Sequence, residues 1–589
     1  MLMVADGWLT TSRAGDAAYA IISMLPAMLP NVAVLVAADT GVFGIRADGL
    51  RGLASSARVL QTNARGIVRL KYPLAGPSFL TAESAPSNGI RFDGGGDTMD
   101  AAFALLPLVD ASIPANLRGI AAEIGQAAAT GLRAAPLLDL IRSGAVRPGL
   151  AHALVRMMPA DELGALAGRL LRHPADLALL QSAIGDDVWL RHALPELARW
   201  LADGRPAVPG HSLVSPAEDE APLLPAGERG LVPAGLALQC LARRQVLPNR
   251  LACILATARD EGPYLLDWVS YHLSIGFEHI FLYTNDNQDG SDALLAALAH
   301  HGVITVVDNI RGPAVGPQIK AYSHALTMLP QILDYRWTAV LDVDEYLAFD
   351  TGLFSNIAEL IALQECQPVD AIALCWAMFA SMPGEAWSDD SSTTRFTRRD
   401  KTINFHVKSL FRTRLFWYTQ PHFPSATLDA PFVYRTQDGN LHHHPGVHGR
   451  IAAFAEHPSA EQAWINHYFL RTAGEAIWKW GRGRGDWLAQ QDNGERAAFL
   501  ELVATTFLEL ARPEHLVDDH RILACARGQD AVRARLLALP GVAEADRAIK
   551  TVFASKLAQG TDAFLSMPPL AGESDAVRQF RHIVAASRA

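Results

Sequence analysis

From Leu251 onward, apolar runs and helical spacings take turns along the chain. "LACILATARDEG" is an apolar strand that ends in polar residues, and "GPYLLDWVSYHLSIG" is a helix with Pro263 near its first turn and Gly276 at its end. "HIFLYTNDNQDG" reads as strand and turn, "SDALLAALAHHG" as a helix opened by Ser291 and stopped by Gly302, and "VITVVDN" as a strand. A further helix, "QIKAYSHALTMLPQIL", leads into a fourth strand, "WTAVLDVDEYL". Strands alternating with helices of about 12 residues predict a parallel α/β sheet, whose ligands sit beyond the carboxyl ends of the strands. After Asp350 the rhythm loosens: strands are expected in "VDAIALCWAMF" and "NFHVKSLFR", with polar loops around "SMPGEAWSDDSSTTRFTRRD". Past Asn493, "ERAAFLELVATTFLELA" and "DAVRARLLALPG" begin a helical tail.

Upstream, "NVAVLVAADTGVFGIRADG" sets β-branched runs between turn residues, the pattern of short strands and hairpins. Ala- and Leu-rich segments such as "LRGIAAEIGQAAATGL" then take over, and "GRPAVPGHSLVSPAEDEAPLLPAGERGLVPAG" has the composition of a linker. The expected organisation is a mixed α/β region over 1–96, helices over 97–204, a Pro/Gly-rich linker over 205–235, an α/β domain over 236–492 and a helical region over 493–589.

Composition narrows the class. Half of the 589 residues are hydrophobic and 19% are charged, as in a globular protein. A formal net charge of -10 excludes a general nucleic-acid binder, which needs clustered Lys and Arg to displace counterions. The 5 cysteines are widely spaced and form no CxxC pair, which points to a reducing cytosol. The apolar stretch from Ala17 to Ala38 is interrupted by Ser23, Pro26, Pro30 and Asn31, and no basic segment precedes it. Neither a spanning helix nor a cleaved signal is expected, so the chain should be cytoplasmic, either soluble or peripheral at the inner face of a membrane.

"WTAVLDVDEYLAFD" drives an apolar run into Asp342, Asp344 and Glu345. Burying an unpaired carboxylate costs several kcal/mol. Side chains alternate along a strand, so Asp342 and Asp344 are expected on one face, where they repel unless a cation lies between them. An oxygen-rich site of this kind suits Mg²⁺ or Mn²⁺. An Asp-x-Asp alone is more often a solvated strand end; its place on the fourth strand of an α/β unit favours the site.

"ARDEGPYLLDWVSYHLSIGFEHIFLYTNDNQDGS", "DVDEYL" and "WINHYFLRT" together resemble the family 2-like and family 92-like glycosyltransferases over about residues 251 to 487. The resemblance implies an α/β fold of the GT-A nucleotide-diphospho-sugar transferase type, with an N-terminal mixed and helical region and a helical C-terminal tail. It gives Asp342 and Asp344 the divalent metal, Mn²⁺ or Mg²⁺, that bridges the donor's phosphates, and makes His467 the third ligand. Glu345 points off that face as a structural residue. Thr257, Arg259 and Glu261 at the first strand's end, with Asn285 and Asp286 at the second, would receive the donor's base and ribose. The group has Lys-Asn-Glu where this chain has Arg259, Asp260 and Glu261, and Asp where it has Thr284, which leaves the base open. Arg471 and Lys479 are the expected diphosphate partners, with Arg482 and Arg484 beside them; Lys408 and Arg412 are placed along the donor or acceptor side. The acceptor's proton would go to Glu385, with Asp389 and Asp390 as alternatives in the same loop, whose shape Ala380 changes by replacing a Gly. Trp376 and Trp387 either stack on a sugar or fill the core. "LHHHPGVH" is read as a polar loop, with His444 a candidate near the site.

The function expected is metal-dependent transfer of a sugar, with inversion, from a nucleoside diphosphate donor to a hydroxyl of a glycan, lipid-linked saccharide or protein. A nucleotidyltransferase and a catalytically decayed carbohydrate-binding protein are the alternatives.

Overall fold

The computed structural model describes residues 115–185, 187–208, 213–214, 234–310, 316–426, 432–442, 452–483, 493–568 and 573–587, together with short strands between residues 2 and 104. Seven of those strands, between Ala20 and Ala104, pair as an antiparallel sheet, and no helix occurs among the described residues of 1–96. Most of the expected linker, His444 and Arg484 lie outside the described residues.

The centre of the molecule is one sheet of 10 strands. Its strands are β1 (Leu213–Val214), β2 (Arg250–Ala258), β3 (His279–Thr284), β4 (Thr305–Asp308), β5 (Tyr335–Val340), β6 (Glu345–Phe349), β7 (Ala371–Met378), β8 (Asn404–Arg412), β9 (Tyr434–Thr436) and β10 (Ala463–His467). The order is β1-β4-β3-β2-β5-β8-β7-β10-β6, with β9 also on β7. The half from β1 to β5 is parallel, and β8 joins it antiparallel. Helices α1 (Gly262–Ser274), α2 (Ser291–His300) and α3 (Pro317–Met328) make the crossovers. Pro263 fits the first turn of α1, where a missing N–H costs nothing, and Gly276 follows it at φ 104°, a left-handed conformation that a side chain would strain.

Strand β2 is buried on both faces, as a central parallel strand must be. Cys253 and Leu255 enter a core shared with the helices between Ala115 and Ala202, where Leu150, Leu170 and Trp200 are buried. Ala252, Ile254 and Ala256 enter a second core with Trp268 of α1 and Phe553 of the tail. The period of two along one strand therefore glues an N-terminal layer and a C-terminal layer to opposite faces.

The fourth strand is shorter than expected. It ends at Val340, a turn follows in which the Glu345 N–H donates to the Asp342 carbonyl at 3.0 Å, and β6 restarts at the far edge of the sheet, antiparallel to β10. Asp342 and Asp344 thus share a turn, not a strand face. Acids alternating at the end of an apolar run read as one face of a continuing strand and carry no mark of a switch from one side of a sheet to the other, which is why strand alternation misplaced them.

The tail consists of α4 (Ala473–Arg482), α5 (Asn493–Leu510), α6 (Val542–Ser566) and α7 (Asp575–Ala586), with short elements between α5 and α6. Helix α4 opens with a reciprocal capping box between Thr472 and Glu475. No helix among the described residues is long and apolar enough to cross a membrane. A short strand, Leu516–Asp518, pairs with Arg398–Asp400, and Asp519 secures the joint by accepting from Arg399 at 2.7 Å and Arg521 at 2.6 Å. Burial works against the Asp519 charge, but the bonds from Arg521 and Arg399 outweigh it and hold the carboxyl at about 2. A depressed carboxyl contributes stability above its ordinary range, and that contribution is lost as pH falls towards the folded value. Asp519→Asn is expected to cost about 2 kcal/mol at pH 7, because a buried carboxylate that holds two guanidinium groups loses its charge. In thermal melts the gap from the parent chain should close as pH is lowered from about 5 to about 2.

Candidate active site

Beyond the carboxyl ends of β2, β3 and β5 lies a cleft of about 720 Å³. Thr257, Arg259, Glu261, Asn285, Asp342, Asp344, His467 and Lys479, all singled out by sequence, line it. Strand β10 carries His467 directly opposite Glu345, so the register of β6 on β10 brings the imidazole to the acidic turn.

Three acids in four positions are neutralised by two lysines. Lys408, fully buried on β8, donates to Asp342 Oδ2 at 2.8 Å and lies 3.1 Å from Glu345. Burial alone would lower its proton affinity, but the two carboxylates outweigh burial and raise it above the ordinary lysine range. Glu345 is fully buried and also accepts the Asp342 N–H at 3.0 Å. Burial pushes its carboxyl up to about 8 against the pull of Lys408. Asp344 is hydrogen-bonded by Lys479 Nζ, from α4, and its Oδ1 lies 3.6 Å from His467 Nε2. Burial opposes its charge too, yet Lys479 and His467 hold it well below the usual carboxylate range. Asp342 keeps 34% of its side chain exposed to the cleft, where Gln318 Nε2 reaches its Oδ1 at 3.2 Å.

The departures from the group's usual residues are absorbed by the loops. Asp260, at φ 53°, turns its carboxylate to the Gln288 N–H at 2.6 Å, and the Thr284 hydroxyl accepts from Asn287 at 2.6 Å. Both side chains hold the loops that frame the cleft and do not line it. Glu261 pairs with Arg482, whose carbonyl in turn accepts from Arg259.

Several expected site residues fall elsewhere. Asp286 is exposed and off the cleft lining. Arg471 is buried behind the cleft at φ 55°, with its guanidinium 3.7 Å from the Tyr264 ring, so it acts on Asp344 and Glu261 through its charge. Arg412 pairs with Glu365 at 3.2 Å. The acceptor loop is also displaced: Glu385 is exposed, Asp389 is held by Lys550 at 2.6 Å, and Asp390 accepts from Ser388 at 2.9 Å, none of them on the cleft. The family resemblance suggested that position, but Lys550 of α6 holds the loop to the tail through Asp389. Trp376 lines the cleft beside His467, whereas Trp387 packs on Phe553.

The sequence reading missed Gln318, Asp400, Asn404, His406 and His422, and the cleft face of α5, namely Phe499, Leu502, Thr506, Glu509 and Leu510. The period of two along "NFHVKSLFR" could have put Asn404, His406 and Lys408 on one side. For α5 the signal was diluted because apolar residues occur all round the helix.

Residues 252–463 match the family described as Glycosyltransferase family 92. The chain therefore carries an α/β domain of glycosyltransferase type. A glycosyltransferase family 92 protein of Ricinus communis is 32% identical over 104 residues, which are 17% of this chain and 18% of the relative. One of Arabidopsis thaliana is 26% identical over 112 residues, 19% of each. The aligned stretches thus span less than a fifth of the curated relatives' length.

Lys408→Met would leave the fully buried Glu345 and the partly exposed Asp342 without their cation, a loss expected to cost about 3–5 kcal/mol. Urea unfolding of the variant checks it; an unchanged midpoint would mean that the acids are neutralised another way.

Proposed function

We propose that this chain is a metal-dependent glycosyltransferase of the GT-A type that moves a sugar, with inversion, from a nucleoside diphosphate donor to an acceptor hydroxyl. The observation that supports it most is the meeting of Asp342, Asp344, His467, Lys479 and Arg482 on one cleft within and beside the family-matched segment. A nucleotidyltransferase would need no such imidazole beside the paired acids.

Two of the expected ligands stand together, although among the described residues no three His, Cys, Asp or Glu are grouped to hold an ion. His467 Nε2 and Asp344 Oδ1 stand 3.6 Å apart, close enough to share an ion with ligand bonds of about 2.1 Å, and no lysine holds that oxygen. His467 Nδ1 is buried with no hydrogen-bond partner among the described residues. Asp344 and His467 would hold Mn²⁺ or Mg²⁺, with water and diphosphate oxygens completing the shell because both Asp342 oxygens accept from Lys408 and Gln318; the ion would supply Lewis-acid stabilisation to a departing diphosphate.

Lys479 and Arg482 bring positive charge from α4 to the place where the diphosphate would lie, and Arg259 braces Arg482 from beneath. Thr257 and Asn285, at the tips of β2 and β3, offer a hydroxyl and an amide to the nucleoside. The acceptor is a glycan, a lipid-linked saccharide or a protein, and the setting is the cytoplasm, free or at the inner face of a membrane.

Nucleotide sugars screened by thermal shift, with and without Mn²⁺, test this reading. A donor at a hundred times its Kd should add about 2.7 kcal/mol. Asp344→Asn is expected to keep the fold and lose the Mn²⁺-dependent part of that gain. Equal donor affinity in the variant and the parent would overturn the metal assignment.

A further inference from the structure

Helix α5 lies outside the family-matched residues, yet it forms a wall of the cleft. Phe499, Leu502, Thr506, Glu509 and Leu510 follow one another at intervals of three, four, three and one, which sets them on a single helical face. Elsewhere on the helix, Leu500, Val503, Ala504 and Phe507 are locked into a separate small core with Val577, Phe580 and Val584 of α7. The helix is thus held firmly while its cleft side stays open. Leu502 remains 46% exposed on that lining, an apolar surface open to a ligand.

The charges of the lining residues divide by element. The cations Arg259, Lys479 and Arg482 come from the end of β2 and from α4 and its flank, and they pair with Glu261 and Asp344. The remaining carboxylates on the lining are Asp342, which Lys408 and Gln318 hold, Asp400 and Glu509; the last two belong to other elements than α4 and β2. They are brought close by the pairing of Arg398–Asp400 with Leu516–Asp518, just past the end of α5. Asp400 accepts the Thr402 N–H at 2.7 Å, which ties it to its own turn. Glu509 is exposed on the cleft side of a rigid helix.

We propose that the cleft face of α5 is the acceptor subsite, that it takes a neutral saccharide, and that Glu509 is the base. This rests on the glycosyltransferase reading. Leu502 supports the C–H face of a sugar ring, Thr506 meets its hydroxyls, and the two acids disfavour a phosphorylated or otherwise anionic acceptor. In the transfer step the acceptor oxygen forms a bond to the donor's anomeric carbon as Glu509 takes the hydroxyl proton. The bond from that carbon to the diphosphate breaks, and its electron pair leaves with the diphosphate.

The test uses the full chain, the donor found by thermal shift, and lactose, maltose, cellobiose and N,N′-diacetylchitobiose as probes, each beside a sugar phosphate. The parent chain should transfer to at least one neutral probe and prefer it over the phosphate. Leu502→Trp should raise the probe's KM at least about tenfold by filling the subsite. Glu509→Gln should lower kcat about 100-fold or more, the usual worth of a base. Both variants should keep the parent's Tm and its stabilisation by the nucleoside diphosphate. Transfer that is unchanged in either variant, lost instead in Asp400→Asn alone, or confined to anionic acceptors overturns the proposal, as does a parent chain that turns over donor without using any neutral probe. A parent chain that binds no nucleoside diphosphate refutes the glycosyltransferase reading itself, a separate and recognisable failure.

Discussion

The rest of the site depends on how one turn disposes of its negative charge. Asp342, Asp344 and Glu345 sit where a central strand ends, and water cannot solvate the latter two, which are buried. Their partners come from far along the chain: Lys408 is 66 residues from Asp342, and Lys479 is 135 from Asp344. Neutralisation therefore requires β8 to join the parallel half antiparallel at β5, and α4 to close over the turn. The charge balance and the topology of the sheet are one requirement.

That balance leaves a division of labour among the acids. Glu345, screened by Lys408, is structural and supports the turn through the Asp342 N–H. Asp344 keeps one oxygen toward His467 and gives the other to Lys479, so it can meet an ion and a cation at once. Asp342 is the acid that still faces open space. Under the proposed function, a diphosphate entering the cleft would meet a preorganised set of positive groups, which would lower the reorganisation needed as charge develops on it.

The parallel half of the sheet was legible because β2 to β5 alternate with helices whose apolar spacing and end signals are unambiguous, Pro263 and Gly276 among them. His467 could be placed only through the resemblance, since a lone imidazole in "NHYF" has no local signature. The break at Leu341 left no trace, because Asp342 and Asp344 in "WTAVLDVDEYLAF" alternate as they would on one face of a single long strand. Lys408 was noticed but not its burial, which depends on carboxylates distant in sequence. Glu385 looked free in a polar loop, and it is, but on the outside: the tail decides which loops face the cleft. Helix α5 was foreseen as a helix; that its second apolar face lines a cavity follows from the docking of α7, a tertiary fact that periodicity does not contain.

A crystal of the full chain grown with Mn²⁺ and a nucleoside diphosphate, with data collected at the manganese edge, measures the central claim most directly. The account predicts one strong anomalous peak within bonding distance of Asp344 and His467, with the diphosphate on Lys479 and Arg482. A diphosphate bound there without a manganese peak, or a peak away from those two side chains, would contradict it.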